Sequence, residues 1–257
     1  MQHWLRFRYQ DNTAFGTLRN GTIEVHRGSM FDQPRPSGET LPLRSVSLLP
    51  PCDPSKMIGL WNNFHARAAK EGLQRPDHPL YFLKSPNSFG AHDDAILRPP
   101  GYSGPVAFEG ELGVVIGREC HNLGEAEAAE CIFGYTCVND VTARGIMKAD
   151  PSFTQWTRAK GFDTFGPFGP VICSGIASRD LRVRTRVDGE EKQNYPVSDM
   201  FFSPEQLVSH ISRDMTLFPG DVIACGTSVG AEAMPDGCTV EVEIEPIGRL
   251  RNRFQPI

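Results

Sequence analysis

Residues 108–117 read FEGELGVVIG and place two glutamates, Glu109 and Glu111, beside an otherwise apolar and β-branched run. Such a run is typical of a buried β-strand. In a strand, residues i and i+2 point to the same face, with Cα atoms roughly 7 Å apart. We therefore predict a core strand that presents two carboxylates side by side. Buried like charges are costly unless a cation joins them, and a hard divalent metal is the simplest such cation.

A third acid, Asp140, follows a second apolar strand, which is predicted over residues 132–138. Two glutamates from one strand and an aspartate from another supply three oxygen ligands, and Mg²⁺ usually keeps further positions for water or substrate. Three carboxylates and one Mg²⁺ leave a charge of about −1, which holds the ion and leaves sites open for a chelating substrate. A Glu-x-Glu pattern is more often a solvated strand face, as we expect for Glu241 and Glu243. The spacing alone leaves both alternatives open.

The patterning along the 257 residues predicts a small N-terminal β domain over residues 1–50 and a catalytic domain over residues 51–257. The pair Asn20-Gly21 predicts a β-hairpin in the first unit. Residues 31–56, rich in Pro, Gly and Ser, are predicted to be a linker. Short helices are predicted from His65 to Gly72, over 125–129 and from Ser203 to about Arg213, and residues 145–170 are predicted to be irregular. Many short strands with few helices predict a mostly β (α+β) fold of the mixed β-sandwich or roll type.

The composition excludes several classes of function. The net charge of −5 gives no support to nucleic-acid binding. No apolar run approaches the roughly 20 residues of a membrane span, and the start lacks the pattern of a signal peptide. The seven cysteines are odd in number and form no CxxC motif, which indicates free thiols in a reducing compartment. We therefore expect a cytoplasmic protein that acts on a small molecule, with neither a nucleic-acid nor a membrane partner.

Five segments occur in the order and spacing found in one known superfamily. They are FEGEL at 108–112, NDVTAR at 139–144, WTRAKGFDT at 156–164, PGDVI at 219–223 and GTS at 226–228. Over roughly residues 56–253 the chain resembles the fumarylacetoacetate hydrolase superfamily. The N-terminal unit is similar to the small β domain that precedes the core in the homoprotocatechuate-pathway isomerase/decarboxylase branch.

The resemblance implies a mixed β-sandwich roll fold, a homodimer, and Mg²⁺ (or Mn²⁺) on Glu109, Glu111 and Asp140. It also implies substrates that are 2-oxo acids or 1,3-diketo acids. The family's reactions are C–C hydrolysis, decarboxylation and enol–keto isomerisation. All three pass through an enolate, which a Lewis-acidic metal next to the developing charge stabilises.

The resemblance also implies roles for five side chains. Lys160 matches the family's active-site lysine, whose ammonium stabilises an oxyanion or binds a carboxylate. His65 matches the family's catalytic histidine, although a single histidine is equally compatible with a structural role. Thr227 lies where family members bind the substrate carboxylate, with a turn threonine as the alternative. Arg144 and Gln155 are candidates for substrate binding, and each is equally compatible with a structural role.

The chain departs from the family pattern around this site. Ala68 stands three residues after His65, where the family has the glutamate that helps to activate water. Glu71 falls on another helix face at about 3.6 residues per turn, so it is a poor substitute. Gly145 and Met147 replace an aspartate and a glutamine of the family pattern. These changes weaken hydrolysis and leave decarboxylation or isomerisation, which need no activated water.

The function predicted first is a Mg²⁺-dependent hydrolase that cleaves a C–C bond in a 2-oxo or 1,3-diketo acid in aromatic-compound catabolism. The alternative is an isomerase/decarboxylase of the 2-hydroxyhepta-2,4-diene-1,7-dioate or 5-oxopent-3-ene-1,2,5-tricarboxylate type. A hypothesis from another class is a non-catalytic dimer that binds a metal or a ligand. Glu109, Glu111, Asp140 and Lys160 together favour an enzyme.

Overall fold

The N-terminal fifth of the chain is a set of antiparallel strands in a computed structural model that describes residues 1–256. These strands are β1 (Gln2–Tyr9), β2 (Asn12–Arg19), β3 (Thr22–Ser29), β4 (Asp32–Pro42) and β5 (Ser47–Leu48). The predicted hairpin joins β2 to β3, and both Asn20 and Gly21 have the positive φ that a type I′ turn requires. The linker prediction for residues 31–56 was wrong in part, because β4 pairs with β3 along much of its length.

The remaining chain is also rich in short strands, as the turn-forming composition predicts. Its strands are β6 (Met57–Trp61), β7 (Leu80–Lys84), β8 (Phe89–Gly90), β9 (Ala95–Leu97), β10 (Val106–Ala107), β11 (Gly110–Ile116), β12 (Ile132–Asn139), β13 (Thr142–Ala143), β14 (Gly166–Ser174), β15 (Arg182–Val187), β16 (Glu190–Pro196), β17 (Val222–Ala224), β18 (Thr239–Ile244) and β19 (Gly248–Gln255). Its helices are α1 (His65–Glu71), α2 (Glu125–Ala129), α3 (Arg144–Met147), α4 (Trp156–Lys160) and α5 (Pro204–Asp214). The predicted mostly β fold with short helices is confirmed.

Two sheets organise the molecule. The large sheet has the order β4-β3-β2-β1-β14-β12-β11-β17-β6-β7, with β5 beside β1 and β8 beside β14. A second sheet has the order β16-β15-β18-β19-β9, and β10 and β13 form a small pair. Strand β1 pairs with β14, with Trp4 opposite Ile172, so the sheet runs without a break across the predicted boundary at residue 50.

The main core lies between the two sheets and under α5. It joins Leu112 of β11, Val183 of β15 and Val242 of β18 in one buried apolar cluster with Ile211 of α5. Helix α5 begins as the sequence predicts, because Ser203 and Gln206 form a reciprocal capping box that satisfies free backbone N–H groups. This packing fixes β11 at the centre of the molecule.

The segment 145–170, predicted to be irregular, contains most of α3, the whole of α4 and the beginning of β14. Helix α4 matters for the site because Lys160 is its last residue. Helix α1 ends as predicted at Gly72, which adopts the left-handed conformation with φ of 68°. No helix in the described part of the chain combines the length and apolar character that a membrane crossing requires.

Candidate active site

The three predicted metal ligands meet because β11 and β12 are antiparallel neighbours. Gly110, the first residue of β11, lies opposite Asn139, the last residue of β12, so the chain segments flanking both positions share one edge. The Glu109 backbone N–H donates to Asn139 Oδ1 at 3.0 Å, and the Asp140 N–H donates to the Glu109 carbonyl at 2.9 Å. Glu109, Glu111 and Asp140 are buried, and one carboxylate oxygen from each lies within 4.8 Å of the others.

Gly110 lets the backbone between the two glutamates pack tightly against the second sheet. A Cβ at this position would lie 2.0 Å from Thr185 Oγ1, which only a glycine avoids. The Gly110 N–H donates to Gln193 Oε1 at 3.0 Å, and its carbonyl accepts hydrogen bonds from the hydroxyls of Thr227 and Tyr195. The second sheet therefore holds the two carboxylates in place through the backbone that joins them.

Two buried lysines complete the charged cluster. Lys160 Nζ donates to Glu109 Oε2 at 3.0 Å and also to Asp140 Oδ2. Lys84 Nζ donates to the other Asp140 oxygen at 2.7 Å and to the Lys160 carbonyl at 2.7 Å. Lys84 was not predicted from the sequence, although a signal was present: strand alternation in β7 puts it on the same inward face as Phe82.

The charges in this cluster depend on one another. Burial raises the pKa of Glu111, and the neighbouring Asp140 and Glu109 raise it further. Burial opposes the ionisation of Asp140, but Lys160 and Lys84 outweigh it and hold its pKa below the usual value. Burial lowers the pKa of Lys84, whereas the surrounding carboxylates outweigh burial at Lys160 and raise its pKa. The cluster without a metal therefore has one carboxylate, Glu111, that lacks a cationic partner.

The donor set fits a divalent cation. Glu111 Oε2 accepts a hydrogen bond from the Gly226 N–H at 2.9 Å, whereas its Oε1 is buried without a partner among residues 1–256. A buried carboxylate oxygen left unpaired is costly, and a hard cation that prefers oxygen ligands satisfies it. Such an ion would also turn the cluster's excess of negative charge into an excess of positive charge, which suits an anionic substrate. The acidic trio can therefore bind a metal ion.

A cavity of about 1110 Å³ opens over this cluster. Its lining includes the rings of Trp61 and Phe82, which pack edge to face and stacked, respectively, on the ring of Trp156. The cavity is also lined by four cationic side chains besides Lys160, namely Arg67, Lys70, Arg144 and Lys148. An anion with an apolar or conjugated carbon skeleton suits such a lining.

Three of the five side chains with predicted catalytic or substrate-binding roles line the cavity. They are Lys160, Arg144 and Thr227. Arg144 Nη2 donates to the Ala231 carbonyl at 2.9 Å, and the Thr227 hydroxyl donates to the Gly110 carbonyl at 2.9 Å. Gln155 does not line the cavity, and its amide lies 3.5 Å from the Phe153 carbonyl. Substrate binding by Arg144, Thr227 and Gln155 stays a prediction. The position of Gln155 outside the cavity lining does not favour such a role for Gln155.

His65 lies outside the cavity lining. It is exposed, and its ring packs on Phe201 with centroids 4.2 Å apart. Two residues further along α1, Arg67 turns into the cavity, as does Glu71 one turn later. Arg67 Nε donates to Glu71 Oε1 at 2.9 Å, so the face of α1 over the site carries an ion pair rather than a histidine. Arg67 was not predicted from the sequence, because the orientation of a helix depends on tertiary packing.

The fold and this site define a class: two packed β-sheets with a buried carboxylate cluster that can bind a metal ion, where β11 and β12 meet beside a cation-lined cavity. The family model described as fumarylacetoacetate (FAA) hydrolase C-terminal matches residues 56–255. A second family model, Rv2993c-like, N-terminal, matches residues 2–51. The chain belongs to the fumarylacetoacetate hydrolase superfamily.

The chain is similar to two enzymes and to one solved crystal structure. The oxaloacetate tautomerase YisK of Bacillus subtilis is 36% identical over 78% of this chain and 70% of its own length. A 4-hydroxyphenylacetate degradation bifunctional isomerase/decarboxylase of Salmonella dublin is 36% identical over 77% of this chain and 46% of its own length. The crystal structure of 2-hydroxyhepta-2,4-diene-1,7-dioate isomerase from Mycobacterium marinum superimposes with a TM-score of 0.91, at 37% identity, over 100% of this chain and 99% of the other.

Proposed function

We propose that the protein is an enol–keto isomerase of a 2-oxo acid, dependent on Mg²⁺ or Mn²⁺. The observation that carries this proposal is that the face of α1 toward the cavity offers no unpaired carboxylate to activate water. Among the cavity-lining residues, the only carboxylate outside the metal trio is Glu71, and it is bound to Arg67. The tautomerase and isomerase descriptions of the relatives support the same reaction class.

The chemistry of isomerisation needs a stabilised enolate and the transfer of one proton between the enol oxygen and carbon, with solvent water in the cavity as its carrier. When bound, a divalent cation supplies Lewis acidity toward the carboxylate and keto oxygens of a 2-oxo acid. Lys160 lines the cavity beside the trio, and its ammonium offers a fixed donor to the oxygen on which charge develops.

The hydrolase predicted first from the sequence is the weaker alternative. Hydrolysis of a C–C bond needs a general base within hydrogen-bond reach of a water molecule. No histidine lies among the cavity-lining residues, and Glu71, the cavity carboxylate of α1, is held in an ion pair with Arg67. Decarboxylation uses the same enolate without an activated water, so the test distinguishes it from isomerisation by its product.

The test follows the enol and keto forms of oxaloacetate by ultraviolet absorbance, with and without Mg²⁺ or Mn²⁺. We expect metal-dependent acceleration of their interconversion, abolished by EDTA and by Asp140→Asn, with no carbon dioxide released above background. Glu24→Ala, an exposed change on β3, is the matched control and should leave the rate unchanged. Carbon dioxide release would identify a decarboxylase, and incorporation of ¹⁸O from water into acid products of an acylpyruvate would identify a hydrolase. Metal binding without turnover of any substrate would favour the non-catalytic dimer.

The homodimer, the cytoplasmic location and the place in aromatic-compound catabolism remain proposals that rest on the family resemblance. Light scattering coupled to size-exclusion chromatography tests the dimer directly. A mass of one chain would contradict it, and a mass of two chains would support it.

A further inference from the structure

Arg67 is the cavity cation with both a fixed position and free donors. Its side chain is 20% exposed, and its Nε is held by Glu71 one helical turn later. Among residues 1–256, neither of its terminal Nη groups has a hydrogen-bond acceptor. By contrast, Arg144 donates an Nη group to the Ala231 carbonyl, and Lys70 and Lys148 are exposed. A half-buried guanidinium with free terminal donors is prepared for an anion that enters the cavity.

The charges around Arg67 also favour the binding of an anion by its guanidinium. Burial lowers the pKa of Arg67, but the negative charges of Glu109 and Glu71 outweigh burial and raise it. Arg67 and Glu109 also line the same cavity. With a divalent ion bound to the trio, the attraction of Glu109 for Arg67 is offset by the ion. The guanidinium is then available to a ligand, and a carboxylate matches its planar pair of donors.

We propose that Arg67 binds a second carboxylate of the substrate, at the end away from the 2-oxo acid group, and that Glu71 positions the guanidinium for this contact. The protein therefore selects dicarboxylic over monocarboxylic 2-oxo acids. This inference rests on the proposed function, because it assumes that the 2-oxo acid end occupies the metal site. It assigns to α1 a role in specificity in place of activation of water.

The test compares two ligands of equal chain length, 2-oxoglutarate and 2-oxopentanoate, which differ in the second carboxylate. Calorimetry in saturating Mg²⁺ gives both dissociation constants for the wild-type protein, Arg67→Ala and Arg67→Lys. We expect the wild type to prefer the dicarboxylate by roughly 10- to 100-fold, the range of a charge-assisted pair, and Arg67→Ala to lower this preference to about twofold. Arg67→Lys should fall between them, because it keeps the charge and loses the paired donors.

Arg158→Ala, an exposed arginine on α4 outside the cavity lining, is the matched control and should keep the wild-type preference. Equal affinity of Mg²⁺ for the wild type and Arg67→Ala shows that the metal site is intact. A wild type without preference, or a preference that survives in Arg67→Ala, would overturn the proposal. The binding measurement does not depend on turnover, so a protein that selects the dicarboxylate without interconverting the forms of oxaloacetate would contradict the proposed reaction and support the role of Arg67.

Discussion

Glu111 links the stability of the folded chain to the binding of a metal ion. Its buried Oε1 has no partner in the described chain, and its neighbours raise its pKa, so its charge is unfavourable until a cation binds. We predict that Glu111→Gln removes the rise in melting temperature that Mg²⁺ or Mn²⁺ gives the wild type. A ligand at 100 times its dissociation constant stabilises a fold by about 2.7 kcal/mol, which scanning calorimetry detects readily.

In EDTA the same substitution should leave the melting temperature unchanged or raise it, because it removes an uncompensated buried charge. Glu24→Ala, on the exposed face of β3, should respond to metal as the wild type does. A metal-dependent rise in the melting temperature of Glu111→Gln as large as in the wild type would remove Glu111 from the ligand set.

Lys84 stabilises the site, since its ammonium donates hydrogen bonds to both Asp140 and the Lys160 carbonyl. Lys84→Ala leaves these two acceptors buried without their donor. Breaking a buried ion pair by removing one partner costs roughly 3–5 kcal/mol. We predict a loss of this size in the free energy of unfolding, measured by urea denaturation. Lys192→Ala, which removes only surface ion pairs with Glu190 and Glu232, should cost much less than Lys84→Ala. Losses of equal size in the two variants would contradict the support role of Lys84.

Gly110 tests whether the second sheet fixes the two glutamates. Gly110→Ala drives a Cβ to within 2.0 Å of Thr185 Oγ1, so the strand must shift. Overpacking of this kind costs typically 1–3 kcal/mol, and the shift should also weaken metal affinity, which titration calorimetry measures. Adding Thr185→Ala should restore part of both losses, because it removes the atom in closest contact. A double variant no better than Gly110→Ala would show that this contact is not the cause.

At the scale of the element, the orientation of helix α1 determines whether a histidine or an arginine lies over the site. The helix is anchored by Phe64, which is fully buried, and by the hydrogen bond from the Ala66 N–H to Asp199 Oδ2. This orientation sends His65 to Phe201 and Arg67 into the cavity. We predict that His65→Ala changes the rate of isomerisation by less than about threefold, the range expected when no group that acts on the substrate is lost.

The sequence-based expectation for the same variant is a slower rate, since the resemblance implies that His65 is catalytic. A loss of 100-fold or more, within the range for a general base, would support that expectation and require α1 to turn during the reaction. The rate of Arg158→Ala, measured beside it, controls for a general effect of substitution at the surface.

The same elements show which features of the fold and the site can be predicted from the sequence. Alternation and turn chemistry are local, so they predicted β12, the hairpin at Asn20-Gly21 and the helix that begins at Ser203. The trio of acids was also accessible, because a Glu-x-Glu strand and an aspartate at the end of another strand are local patterns. The alternation of β7 places Lys84 on the same face as Phe82. That this face and one face of α1 lie beside the acidic trio depends on which elements pack together, and the chain contains no local signal for that packing.

At the scale of the whole molecule, the large sheet joins the two predicted domains into one structure. Strand β1 pairs with β14, which in turn pairs with β12, the strand that ends beside Asp140. Leu5, Phe7 and Ile23 from the N-terminal strands lie in the same buried cluster as Leu112 of β11. The N-terminal unit is therefore a part of the core in packing terms, although the family models divide the chain near residue 55.

Deletion of residues 1–50 tests this continuity. Removing β1 leaves the central strand β14 as an open edge and uncovers the apolar side chains that β1 and β3 bury. Open apolar edges pair with other chains, so we predict that the fragment 51–257 aggregates, or unfolds at a lower temperature, as measured by size-exclusion chromatography and thermal denaturation. The full chain carrying Arg19→Ala, an exposed change on β2, controls for handling and should behave as the wild type. A soluble fragment that keeps both the wild-type melting temperature and the affinity for Mg²⁺ would show that the strands before residue 50 cover the sheet without supporting the site.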